Sequence, residues 1–150
     1  MKKIYHIMAI LIVAVTVVSC THNNGDIGEY FGTWKLENIS VDGNADSAYG
    51  GDIFWKFQTS VICMERVTEL HDTENRWGTW AQIGSDVLRM DFTHHDDTHP
   101  EGSDMYSPFP ETYIPNGVTD LAIMSMSGSS MVLGYTKDDG TVIKYNLKKW

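Results

Sequence analysis

From Thr33 to Leu147 the chain is a succession of short segments in which apolar and polar residues alternate, cut about every ten residues by turn chemistry. A period of two puts successive side chains on opposite faces of an extended strand, and a helix cannot use it. No window longer than about ten residues here shows a helical period. Eight strand candidates result: 33–41, 53–59, 61–70, 76–83, 87–94, 119–126, 131–136 and 141–147. The sixth also fits a short helical turn, because Leu121, Ile123 and Met124 suit either period. Turns are expected at Asp42-Gly43-Asn44, at a polar tip over 71–75, at Gly84-Ser85-Asp86, at Ser127-Gly128-Ser129 and at Asp139-Gly140. The fold class expected is all-β: an antiparallel, up-and-down barrel of about eight strands. An open sandwich is the alternative, and closure favours the barrel because it leaves no free edges.

Alternation also nominates the inward face. In the first strand Trp34, Leu36 and Asn38 alternate against Lys35, Glu37 and Ile39. Across the chain the inward candidates are Trp34, Leu36, Trp55, Phe57, Trp80, Leu88, Met90, Phe92, Ile123, Leu133, Ile143 and Tyr145. These would line a ligand cavity, or they would simply fill the barrel; eight strands is the size at which either occurs. Cys63, between Ile62 and Met64, reads as a buried strand position. The rhythm breaks over 95–117, which carries all four prolines together with Tyr106, Phe109 and Tyr113. Exposed aromatics on such a loop would anchor a protein or glycan partner. Folded back, they would form a lid on the barrel mouth with a small core of their own.

The first twenty residues give an address. Lys2 and Lys3 precede an apolar run from Ile4 to Val18, which ends in Ser19-Cys20. That run is short of the roughly 20 residues a transmembrane helix needs, and it matches a cleaved secretory leader. The cysteine at the cut site resembles the lipobox of bacterial lipoproteins. The resemblance implies a leader over 1–19, acylation of Cys20 with palmitate-type chains, and a polar tether over 20–29. The barrel domain is then 30–150, with its long insertion at 95–117. The expected location is the bacterial cell envelope, lipid-anchored at the outer membrane. Losing the leader's two lysines takes the formal charge of the chain from −9 to −11. So acidic a surface argues against nucleic acid as a partner, and it also serves solubility.

The stretch Gly28-Glu29-Tyr30-Phe31-Gly32-Thr33-Trp34 resembles the opening of lipocalin-like domains, where a 3₁₀-like turn precedes Gly-x-Trp on the first strand. With the lipobox and the strand count, the chain resembles small lipocalin-like lipoproteins of Bacteroidetes over 28–150. The resemblance implies a tryptophan packed across the closed end, under a basic residue from the last strand, with Lys144 or Lys148 in that part. It also implies a small apolar ligand.

Chemistry is sparse elsewhere. His94, His95 and His99, with Asp96 and Asp97, are metal-ligand types, but adjacent ligands rarely complete a tetrahedral set without help from elsewhere. No nucleophile elbow, phosphate loop, Cys-x-x-Cys or His-Glu-x-x-His is present. Glu65 and Glu69, with Arg66 opposite, read as strand charges facing water. Glu101 and Asp104 lie near the histidines without a cleft to serve. No catalytic residue, metal or cofactor is assigned, and a non-enzymatic binding module is expected. The alternative is a filled barrel that meets an envelope protein or glycan through 95–117. Replacing Cys20 by serine is expected to abolish metabolic labelling with palmitate and to move the protein out of the membrane fraction, as immunoblotting of fractionated cells would report.

Overall fold

The computed structural model describes residues 28–98 and 104–150. The leader, Cys20, most of the tether and His99 lie outside these residues. The strands are β1 (Gly32–Val41), β2 (Asn44–Ala45), β3 (Ile53–Phe57), β4 (Val61–Val67), β5 (Thr73–Ile83), β6 (Val87–Asp91), β7 (Val118–Met126), β8 (Ser130–Thr136) and β9 (Val142–Lys149). Each long strand pairs antiparallel with the next, and β1 also pairs with β9. The result is a closed eight-stranded antiparallel barrel, with β2 a two-residue spur on β1. Two 3₁₀ turns, Asp104–Tyr106 and Pro110–Thr112, fall in the long connection between β6 and β7.

Local chemistry explains where strands stop. Asp42 and Gly43 both have positive φ, the backbone a two-residue hairpin needs, and Asp-Gly supplies it. Asp91 accepts bonds from Thr93 N–H and Oγ1–H, which turns the chain at Asp91, so the fifth candidate ends there and not at His94. Gln58 N–H bonds the Val61 carbonyl, ending β3 at Phe57 rather than at residue 59. The hairpin tip expected over 71–75 sits instead over Thr68–Asp72. Thr68 N–H and Oγ1–H both reach the Asp72 carbonyl, and His71 takes a φ of 61°. The sixth candidate is strand throughout.

The inward face follows the period of two with one correction. The β1–β9 register shifts between Leu36 and Asn38. That bulge places two successive residues, Glu37 and Asn38, outside and turns Ile39 inward, the reverse of the strict alternation. The other inward side chains fill the barrel. Trp34, Leu36, Trp55, Met64, Leu88, Met90, Leu133 and Tyr145 are all fully buried. Their rings interlock: Trp55 lies 5.6 Å from Tyr145, and Phe57 lies 5.2 Å from Trp80 at 87°. Opposite Ile62, β5 carries Gly78. A Cβ there would lie 2.8 Å from the Asp91 carbonyl oxygen and 2.9 Å from the Phe92 ring. Gly78→Ala is therefore expected to destabilise the fold by about 1–3 kcal/mol through overpacking, read as a lowered midpoint in urea with an unchanged slope.

Candidate functional site

The two ends of the barrel are closed by different means. At one end the chain itself turns over the opening. Trp34 donates from Nε1 to the Tyr30 carbonyl at 2.7 Å. Lys149 lies over the Trp34 ring at 4.4 Å and donates to the carbonyls of Glu29 and Phe31. Burial holds the Lys149 ammonium below its ordinary pKa. The basic residue over the tryptophan is thus Lys149, not Lys144 or Lys148. Counting by twos from Tyr145 leads inward to Leu147 and Lys149, and Lys149 is the register partner of Trp34. Gly32 has a φ of 114°, and its missing Cβ faces Lys149 Cε at 3.4 Å, so the glycine of Gly-x-Trp makes room for the lysine stem.

The other end is a mouth, and residues 104–116 stop it. Phe109 is fully buried, as is Thr112, and Ile114 nearly so. The Phe109 ring packs against two inward-facing guanidiniums, 4.3 Å from Arg66 and 5.2 Å from Arg76. Arg66 pairs with Glu111 at 2.7 Å, with Asp52 at 3.4 Å and with Glu74 at 3.6 Å. Arg76 pairs with Glu74 and Asp104 and donates to the Asp104 carbonyl. The wall holds the plug from two further points. Tyr145 donates its hydroxyl to the Thr112 carbonyl at 2.8 Å, and burial pushes that phenol well above its usual range. Tyr113 donates to Asp46 at 2.8 Å, which raises the Tyr113 phenol, and its ring receives Lys137 at 4.9 Å.

The structure places the expected residues as follows. All nine wall candidates (Trp34, Leu36, Trp55, Phe57, Trp80, Leu88, Met90, Phe92 and Tyr145) are buried or packed on the core. Trp80 and Phe92 also line shallow surface grooves. Among the three loop aromatics, Phe109 is not a surface anchor, because it is fully buried against Arg66 and Arg76. Tyr113 is half-buried on Asp46, and Tyr106 is half-exposed, donating to Asp96 at 2.7 Å. His94 shares a groove with Tyr106 and lies 3.6 Å from Asp91, while His95 is exposed. Among the described residues no group of three or more His, Cys, Asp or Glu is placed to hold a metal. Cys63 is buried, bonds Asn75 at 3.3 Å, and has its thiol pushed up to about 11 by burial, which keeps it protonated.

Arg66 does not face water; its side chain is only 22% exposed inside the mouth, and Arg76 only 11%. The signal was available, since the period of two from Met64 and from Trp80 puts both arginines inward.

A family model for the lipocalin-like domain matches residues 13–145. The chain belongs to the lipocalin-like family. Among solved structures, a lipocalin-like protein from Bacteroides uniformis is similar at a TM-score of 0.57 and 18% identity, over 82% of this chain and all of that one. An uncharacterized protein from Bacteroides eggerthii is similar at a TM-score of 0.61 and 19% identity, over 81% of this chain and 99% of that one. No curated protein matches. A lipocalin-like fold is typically a binding module. Tyr145→Phe is expected to cost about 1 kcal/mol and to speed amide exchange over 109–114 while the strands stay protected, as hydrogen-exchange mass spectrometry would read.

Proposed function

We propose that this chain is a non-enzymatic binding module, held on the bacterial envelope through a lipid on Cys20, that takes a small and largely apolar ligand at the barrel mouth. The observation that carries this reading is how the mouth is stopped. The other end is closed by packing that is continuous with the barrel. The mouth is instead filled by a separate segment, tied to the wall by one phenol bond from Tyr145, one from Tyr113, and ion pairs to Arg66 and Arg76. Few of its side chains are buried, which is the make-up of segments that open locally below the global unfolding free energy. A ligand entering here gains the aromatic surface of the wall in exchange for the plug.

A second reading has its own observation. Trp34, Trp55, Tyr145 and their neighbours are already fully buried, so the barrel is filled as it stands. On that reading the protein meets an envelope protein or glycan through the outer surface of 95–117. Native mass spectrometry separates the two, on the full chain extracted in detergent from its own envelope and compared with the denatured mass. We expect a discrete excess, on the order of one to a few hundred daltons, that disappears on denaturation. Equal masses would overturn the ligand reading in favour of the second. An excess of one metal ion would overturn both and return attention to His94, His95 and His99.

A further inference from the structure

The mouth contains more polar chemistry than an apolar ligand needs. Arg66 and Arg76 both point into the barrel, and each has its own wall carboxylates: Asp52 and Glu74. Those two neutralise the two guanidiniums. The plug then adds a second pair of carboxylates, Glu111 on Arg66 and Asp104 on Arg76. The segment therefore brings acid to the arginines as well as a ring. One guanidinium organises both groups: Arg66 has the Phe109 ring on its face at 4.3 Å and the Glu111 carboxylate at its edge at 2.7 Å. Ring and acid are thus only a short spacer apart.

The fit is also incomplete. Trp55 is fully buried, and its indole Nε1–H has no acceptor; Arg76 Nε–H is buried and also lacks one. Trp55, Met64 and Arg76 form one inward-facing row across β3, β4 and β5. A buried donor without a partner costs free energy that a ligand oxygen would recover. A phenylalanine ring cannot supply that oxygen.

From this we infer that the mouth is a site for a compact aromatic carboxylic acid bearing an oxygen on its ring, and that residues 104–116 hold its place as an intramolecular stand-in. Phe109 occupies the position of the ring and Glu111 that of the acid. The space released is that of a phenyl ring with the side chains of Pro108, Thr112 and Ile114, which suits a compact molecule and not a long acyl chain. The inference rests on the mouth being a ligand site and names the class of ligand. Because the plug competes for the same groups, the measured affinity is the intrinsic one reduced by the fraction of open mouths.

The test titrates 3-(4-hydroxyphenyl)propionate into the full chain in detergent, with its five tryptophans labelled with ¹⁵N. The readout is the Trp55 indole resonance, assigned by its loss in Trp55→Phe. A saturable shift is expected. Affinity should rise on the order of tenfold or more in Phe109→Ala, where the competitor is weakened. It should fall on the order of tenfold or more in Arg66→Gln, where the acid loses its charged partner. No saturable shift in either the wild type or Phe109→Ala would overturn the inference. So would unchanged binding in Arg66→Gln, or an equal response to acetate, which would make the mouth a plain anion site. If Phe109→Ala loses its dispersed amide spectrum, Glu111→Gln carries the same comparison with the ring kept. A native ligand of another class, found by mass alongside no response to this acid, would overturn the inference and leave the binding module standing.

Discussion

The antiparallel pairing of β1 with β9 turns a meander into a closed wall, and the rest of the molecule depends on it. Without that ladder the sheet has two bare edges and the inward aromatics have no opposite side to pack on. With it, Trp34 meets Lys149 in register, and the lysine reaches across to the backbone carbonyls of Glu29 and Phe31. One pairing therefore closes the sheet and seals one end. The bulge after Leu36 belongs to the same ladder. It lets β1 keep its partner while bringing both Leu36 and Ile39 to the inside.

Closure leaves the opposite end to be solved separately, and the solution is charged. Two arginines inside a barrel carry a desolvation penalty that only good geometry and full pairing offset. Arg66 is met by three carboxylates, Asp52, Glu74 and Glu111, and its flat face is covered by the Phe109 ring. Arg76 is less completely served, with Nε left unpaired. A hydrophobic plug on hydrophobic walls would have been simpler to stabilise. Guanidiniums at this depth make the docking of the plug selective, because charge pairing discriminates between partners in a way that oily contact does not.

Most of the barrel was legible in the sequence because one physical rule, side chains alternating across a half-buried strand, acts at every position of β3, β6, β8 and β9. All eight long strands overlap the segments the alternation picks out, with ends that differ by up to three residues. The rule fails at residues 36–39, where strict alternation would bury Asn38 and expose Ile39; the bulge instead exposes Glu37 and Asn38 and buries Leu36 and Ile39. The hairpin tip moved to Thr68–Asp72 because Glu74 and Arg76, read as turn and strand charges, are inward residues held by ion pairs. The site was harder still. Phe109 is recognisable as an anchor, but which surface it seeks depends on Arg66 and Arg76, more than thirty residues away. Those arginines look like ordinary strand charges until the period is counted through them. Lys149 was missed by one residue for the same reason: its neighbours Lys144 and Lys148 are equally basic, and only parity tells them apart.

The ladder between β1 and β9 has a kinetic side. Most of the other pairings join neighbours in the chain and can form as local hairpins, on timescales of microseconds, while β6 and β7 meet across the connection over 92–117. The closing pairing is of a different order: the bond from Asn146 to Asn38 spans 108 residues. Its loop-closure entropy comes due before any of its contacts form, so this pairing adds most to the time the fold needs. Any state in which β1 and β9 are unpaired has two bare edges and an aromatic face open to water, and it is exposed to pairing with the edge of another copy.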